Sequence, residues 1–207
     1  MNQLITDIKK VKESDISQQI SKKIQTFLFL KHAPPNTIFQ ELCYCILTAN
    51  CPAIRCMMIQ ELLSEDFLSA STDTLSRKLK QYGYRFPHIR AEYITASRKH
   101  LEKIPQALRT RNRQQRRLWL IHSIKGLGYK EASHFLRNIG YLDYAIIDIH
   151  IIHLLKKYDI IPPTKTITAN TYLYLEKQLQ CIAQSEKLRL GELDLYLWYM
   201  QTGAILK

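Results

Sequence analysis

The residues best placed to do chemistry are Lys130 and Asp148, eighteen positions apart. A lysine amine is a nucleophile that forms imines with carbonyl carbons. A carboxylate can stabilise a developing cation and shuttle protons. The setting of Lys130 is what gives the pair weight. It lies two residues past the turn Lys125-Gly126-Leu127-Gly128, which joins two apolar helical stretches. Leu118, Leu120, Ile121 and Ile124 line the first, and Ala132, Phe135, Leu136 and Ile139 line the second. Two glycines flanking one aliphatic residue suit a tight hairpin, and both are expected in backbone conformations that other residues avoid. Leu127 would plug the gap between the helices, and the small Ala132 would let them cross closely. The N–H groups of the turn and of the next helix's first turn would then face outward as an anion site suited to a phosphate. This is a helix-hairpin-helix signature, a grip on a nucleic-acid backbone that ignores base sequence.

At the start of the second hairpin helix, the helix dipole and partial burial favour a neutral amine on Lys130. Asp148 reads as the N-cap of the next helix and would lie across the same cleft. The pairing suits one reaction in particular. The lysine attacks the anomeric carbon of a nucleotide and displaces the base, and the Schiff base then undergoes β-elimination and nicks the strand. Simpler readings stand beside it: a lysine there is commonly only a phosphate contact, and an aspartate before a helix is usually only a cap. Their occurrence together, behind a well-formed hairpin, shifts the weight to catalysis.

The rest of the chain must position these groups. Its 207 residues suffice for one large or two small domains. Hydrophobic residues make up 46%, with only 6 glycines and 7 prolines, which favours an ordered, helical globule. A net charge of +12 predicts attraction to a polyanion. A membrane partner is excluded as a spanning one, because the longest uncharged run, residues 42–54, is far short of the roughly 20 apolar residues required. The opening MNQLITDIKKVKESD has no apolar core for a signal peptide, so an intracellular protein of cytoplasm and nucleoid is expected. Cys43, Cys45, Cys51 and Cys56 crowd one helical region, but no C-x-x-C pair occurs. They read as buried, reduced small hydrophobes rather than metal ligands.

Helical periodicity dominates. Ile16, Ile20, Ile24, Phe27 and Leu28 form one stripe. Further helices are expected over residues 37–50, from Pro52 through Leu63, and over 72–82, 89–104, 149–158, 169–184 and 188–202. The turn 83–87 separates two of them, Pro162-Pro163 breaks another, and Gly203 ends the last. The arginine-rich run 109–117 reads as a solvated connector that adds to the field drawing the protein to DNA. No strand alternation is sustained, so the class is all-α.

Ile124-Lys-Gly-Leu-Gly-Tyr-Lys-Glu-Ala-Ser-His-Phe-Leu-Arg-Asn-Ile-Gly140, followed by Ala145-Ile-Ile-Asp-Ile-His150, closely resembles the helix-hairpin-helix DNA glycosylase superfamily. Within it the likeness is to the compact, archaeal-type second subfamily of 8-oxoguanine DNA glycosylases with AP-lyase activity. Glu41-Leu-Cys-Tyr-Cys-Ile-Leu-Thr-Ala-Asn50, Gly83-Tyr-Arg-Phe86 with Arg90-Ala-Glu-Tyr-Ile94, and the lysine-terminated tail resemble it too, so nearly the whole chain is covered. The resemblance implies a two-lobed helical glycosylase fold. One lobe takes roughly 1–34 and 145–207, and the other takes 35–144 with the hairpin at about 114–140. It also implies that Lys130 is the Schiff-base nucleophile, Asp148 the assisting carboxylate, and Gly126, Leu127 and Gly128 the DNA-backbone grip.

An enzyme acting on a base inside a duplex must flip it out and hold it by stacking and edge hydrogen bonds. Phe86 and Trp198 are the aromatics to place on the two faces of the base, although Trp198 taken alone reads as core. The Lys207 carboxylate could accept the paired N–H donors of a guanine-type base, the alternative being a frayed end. Asn50 resembles the residue inserted into the vacated hole, and it would also suit a helix C-cap. With only Cys181 near the carboxyl end, no iron–sulfur cluster is expected, and no cofactor or metal is implied. The expected partner is double-stranded DNA containing 8-oxoguanine, bound by a monomer. The rivals are a glycosylase for another damaged base and a non-catalytic DNA-binding module, with RNA binding a weaker third.

Overall fold

The structure, a computed structural model, describes residues 2–161 and 167–207. Every helix or strand element among them is helical, in agreement with the all-α expectation. None of these helices is long and apolar enough to cross a membrane. Chain contacts divide the protein into two units, Leu30–Phe135 and the pair Met1–Phe29 with Leu136–Lys207.

The unit Leu30–Phe135 is built around α3 (Pro35–Leu47). Ile38, Phe39 and every residue from 41 to 47 are buried, so this helix is enclosed on all sides. Pro35 at its first position supplies a preset φ where no N–H partner is needed. α4 (Ala53–Ser69) packs on α3, and α5 (Thr72–Gln81) packs on α6 (Pro87–Ser97). Ser71 caps α5 by accepting from Thr74 N, and the guanidinium of Arg98 donates to the carbonyls of Asp66 and Phe67 at the last turn of α4. Then follow a short 3-10 turn Arg98–His100, α7 (Ile104–Leu108), α8 (Arg113–Ser123) and the start of α9 (Tyr129–Asn138).

The other unit holds α1 (Asn2–Lys12), α2 (Ile16–Leu30), α10 (Ile149–Lys157), α11 (Ala169–Ser185) and α12 (Leu190–Thr202). Ile20, Ile24 and Phe27 of α2 meet Leu142, Leu195 and Tyr196 in one core cluster. A buried ion pair, Arg137 to Asp194 at 3.5 Å, lies in the same unit. α12 passes close to the chain at Leu142: a side chain at Gly191 would come within 2.9 Å of Arg137 and 3.2 Å of the Leu142 backbone.

Several sequence expectations are corrected. The helix expected over 37–50 ends at Leu47, with Thr48 as its C-cap. The one expected over 89–104 starts at Pro87, where proline is a good first residue, and stops at Ser97. Residues 2–12, which gave no helix on reading, form α1 because Leu4 and Ile8 fall on one buried face. The run 109–117 is a solvated connector only in its first half, where Arg109, Arg111 and Asn112 are exposed between α7 and α8. Asn112 accepts from Gln115 N and starts α8 at Arg113, so the second half of the run is helical. That turns Arg116 and Arg117 inward, where both are buried. Arg116 donates to the carbonyls of Leu108 and Thr110, and Arg117 donates to Ser133 Oγ at 3.2 Å while stacking over Tyr129. Pro162 and Pro163 lie outside the described residues.

Candidate active site

The hairpin forms as α8 ends and the chain turns through residues 124–128. Ile124 N donates to Leu120 O, and Leu127 N donates to Ile124 O at 3.3 Å. Leu127 and Ala132 are buried between the helices; a leucine buried so fully contributes about 1.5–3 kcal/mol. The two glycines turn out to do different jobs. Gly126 has φ +86°, and a Cβ there would lie 2.5 Å from the Tyr93 ring, so both conformation and space demand glycine. Gly128 does not have positive φ, contrary to expectation. Its carbonyl accepts the first bond of α9 from Ala132 N, and its own N–H donates to Glu131 Oε2 at 3.2 Å. It is a cap with a carboxylate reaching back to it, as in half of a capping box. The N–H groups of Leu127 and Gly128 are therefore already engaged, and the outward anion site is narrower than the sequence suggests.

Lys130 is the second residue of α9, and its side chain is only 23% exposed. Its Nζ lies 3.5 Å from Thr48 Oγ1 and 4.0 Å from Glu131 Oε1. Thr48 Oγ1 in turn donates to Cys45 O at 2.8 Å, which fixes the hydroxyl beside the amine. Thr48 opens the turn that carries Asn50, which is exposed with φ +63°. Asn50 is thus a left-handed turn residue, a conformation asparagine tolerates, and not the helix C-cap. The turn is held from several sides. Tyr84 OH donates to Leu47 O at 2.6 Å, Cys56 Sγ lies 3.4 Å from the same carbonyl, and Arg90 Nη2 reaches Ala49 O at 3.5 Å. Arg90 Nη1 would also sit 3.4 Å from a side chain at Gly126, so one guanidinium touches both the hairpin and the Asn50 turn. Burial raises the Tyr84 hydroxyl to a pKa of about 12, which keeps it a donor. Phe86, also in this unit, is the 39% exposed residue just before α6, with the Arg85 guanidinium 5.0 Å from its ring.

Asp148, Trp198 and Lys207 belong to the other unit. Asp148 is half-buried and caps α10, its Oδ1 accepting from Ile151 N at 2.9 Å. The extended segment before it is clamped by α11. Glu176 accepts from Ala145 N, and the Tyr172 hydroxyl donates to Ala145 O and accepts from Ile147 N. Trp198 is partly exposed on α12, its indole edge-on to His150 at 4.8 Å. Its Nε1 is buried without a hydrogen-bond partner. After Gly203 reverses the chain at φ +71°, residues 204–207 are half-buried, and Ile205 packs on the α2 core cluster. The end of the chain is therefore tucked in rather than frayed.

Lys130, Gly126, Gly128, Asn50 and Phe86 thus share one unit, and Asp148, Trp198 and Lys207 share the other. Sequence reading missed Thr48, 82 residues from Lys130 with no local signal linking the two. It also gave no role to His150, whose place two residues past the cap was readable.

Comparison with known proteins gives one consistent answer. Residues 20–188 match the family model of helix-hairpin-helix 8-oxoguanine DNA glycosylases. The 8-oxoguanine DNA glycosylase/AP lyase of Methanocaldococcus jannaschii is 44% identical, over 99% of each chain, and that of Korarchaeum cryptofilum is 39% identical, over 100% of this chain and 99% of its own. A crystal structure of the M. jannaschii glycosylase/lyase with 15mer DNA containing 8-oxoguanine matches with a TM-score of 0.96 at 42% identity, covering 99% of this chain and 100% of that one. The Thermotoga maritima 8-oxoguanine DNA glycosylase structure matches with a TM-score of 0.94 at 33% identity, covering 100% and 99%. The chain belongs to the 8-oxoguanine DNA glycosylase family.

Proposed function

We propose that this chain is a bifunctional glycosylase/AP lyase that excises 8-oxoguanine from duplex DNA and nicks the strand at the resulting site. The observation that carries the reading is Lys130, a mostly buried amine on the first turn of the helix behind a Gly126 hairpin, with Thr48 Oγ1 3.5 Å away. The Lys130 amine attacks the anomeric carbon of the lesion, and the bond to the base breaks as its electrons leave with the base. The sugar ring opens to an imine on Nζ. Loss of a proton from the adjacent carbon then expels the 3′-phosphate by β-elimination. Asp148 stabilises the cationic sugar and helps move protons while still capping α10.

Phe86 and Trp198 hold the two faces of the flipped base, the Lys207 carboxylate reads its N–H edge, and Asn50 fills the hole in the duplex. Backbone groups around Gly126, Leu127 and Gly128 grip phosphate, and the charge of +12 draws the protein to DNA. Work on duplex DNA implies the cytoplasm and nucleoid as its place. Borohydride, which reduces a Schiff base to a stable adduct, supplies the test. The wild type should trap covalently on 8-oxoguanine duplex, and Lys130→Gln should bind but not trap. Undiminished trapping by the variant would make another amine the nucleophile.

A further inference from the structure

Two thiols stand at the foot of the turn that carries Asn50. Pro52 is the N-cap of α4, so Cys51 is the residue before the cap and Cys56 is the fourth residue of the helix. These two positions face each other at a helix start, where an apolar pair commonly staples the incoming chain. Here sulfur stands on both sides of the staple. The staple positions set the two thiols side by side, and the Cys56 S–H donates to Leu47 O at 3.4 Å. Both thiols are reduced; Cys56 is fully buried, and Cys51 is partly open to solvent.

The pair is chemically unequal. The neighbouring Cys56 thiol, with help from the Arg55 guanidinium, holds Cys51 below the ordinary thiol pKa in spite of burial. The neighbouring Cys51 and burial push Cys56 up. An accessible thiol of lowered pKa beside a buried partner thiol is the arrangement that senses oxidants, since reactivity follows thiolate character and access.

We propose that Cys51 and Cys56 form an oxidation site for hydrogen peroxide, closing to a disulfide that draws the 48–51 turn toward α4. The functional half of this, that Asn50 and the Thr48–Lys130 contact are thereby displaced and cleavage falls, rests on the glycosylase reading above. In the first step the Cys51 thiolate attacks one peroxide oxygen, and the O–O bond breaks. Hydroxide leaves and takes up the proton lost by the thiol as water. The sulfur is oxidised by two electrons to a sulfenic acid. In the second step Cys56 gives up its proton and attacks the Cys51 sulfur, forming S–S and breaking S–O, and a second water leaves. Two thiols and one peroxide become one disulfide and two waters.

The test uses the full chain carrying Cys181→Ser, which removes the exposed thiol and leaves four of the five cysteines. The reduced protein is titrated with hydrogen peroxide, alkylated under denaturing conditions and mapped by mass. Two of the four thiols should disappear together as a Cys51–Cys56 link, and Cys51→Ser in the same background should form no intramolecular link. Excision of 8-oxoguanine and nicking of a pre-formed abasic site should both fall at least about tenfold in the linked protein, the scale on which a small misplacement near a reacting group acts. Both should return with dithiothreitol, and both should be indifferent to peroxide in Cys51→Ser. No link at doses that leave Cys43 and Cys45 intact, or a linked protein with undiminished cleavage, overturns the proposal. A reduced protein that forms the link but cleaves nothing retires the glycosylase reading and keeps the oxidation site.

Discussion

Replacing Gly126 by alanine isolates the hairpin from the rest of the protein. Two separate costs arise at that one position. At φ +86° an L side chain sits in the left-handed region, which costs about 1–2 kcal/mol. The new methyl group would also lie 2.5 Å from Cδ2 and 3.0 Å from Cε2 of Tyr93, so the ring must move, an overpacking cost of about 1–3 kcal/mol. Together they predict a loss of about 2–5 kcal/mol, which for a chain this size lowers the melting temperature by about 4–20 °C. Gly128→Ala meets only the end of the flexible Glu131 side chain, at 3.3 Å, in an ordinary backbone conformation. It should cost within about 1 kcal/mol, the difference between glycine and alanine at a helix cap. The assay is thermal melting of both variants alongside their affinity for undamaged and 8-oxoguanine duplexes. Gly126→Ala should weaken both duplexes alike, because backbone contacts to phosphate carry no base information. Repeating Gly126→Ala in a Tyr93→Ala background removes the clash and should leave only the conformational part, about 1–2 kcal/mol. Equal losses from the two glycine variants, or no relief in the Tyr93→Ala background, would refute this account of the turn.

Asp148→Asn keeps a side-chain acceptor for Ile151 N but removes the charge; it should melt within about 1 kcal/mol of wild type, bind damaged DNA and lose most base excision. A sharp fall in melting with unchanged activity per folded molecule would leave the cap as its only role. Deleting Lys207, or extending the chain with a tag, should reduce cleavage of 8-oxoguanine DNA by one or more orders of magnitude, from about 1–3 kcal/mol for each buried donor left unpaired. Nicking at a pre-formed abasic site should largely survive, and equal losses on both substrates would assign the tail to the fold. Arg117→Ala empties a fully buried site and should destabilise by about 2–5 kcal/mol, while Arg111→Ala, on the exposed face, should stay within about 0.5 kcal/mol; comparable melting of the two would contradict the inward arginine.

What could be read from the chain beforehand is what local chemistry decides. The glycine turn, the Asp148 cap and the Gly203 stop each depend on a few neighbouring residues, and each is found at its expected place. What could not be read depends on distant partners or on helix phase. The arginine run looks solvated as a composition, yet one cap at Asn112 rotates Arg116 and Arg117 into the interior. Thr48 meets Lys130 across 82 positions. The equivalence of the two glycines failed because composition cannot tell a positive φ from a helix cap, whereas the Tyr93 ring against Gly126 makes the distinction at once.

The clamp on the segment before Asp148 has a consequence for how that part of the chain opens. The N–H groups of Ala145 and Ile147 donate not to a helix ladder but to the Glu176 and Tyr172 side chains of α11. Their exchange with solvent deuterium is therefore governed by the docking of α11, since no local helix protects them. Amides that share one opening event exchange with one free energy and form one cooperative unit. Ala145 and Ile147 should accordingly share the protection of buried amides in α11 rather than that of α10, the helix next to them in sequence. The stretch that delivers Asp148 is, in its dynamics, part of a helix that begins more than twenty residues further on.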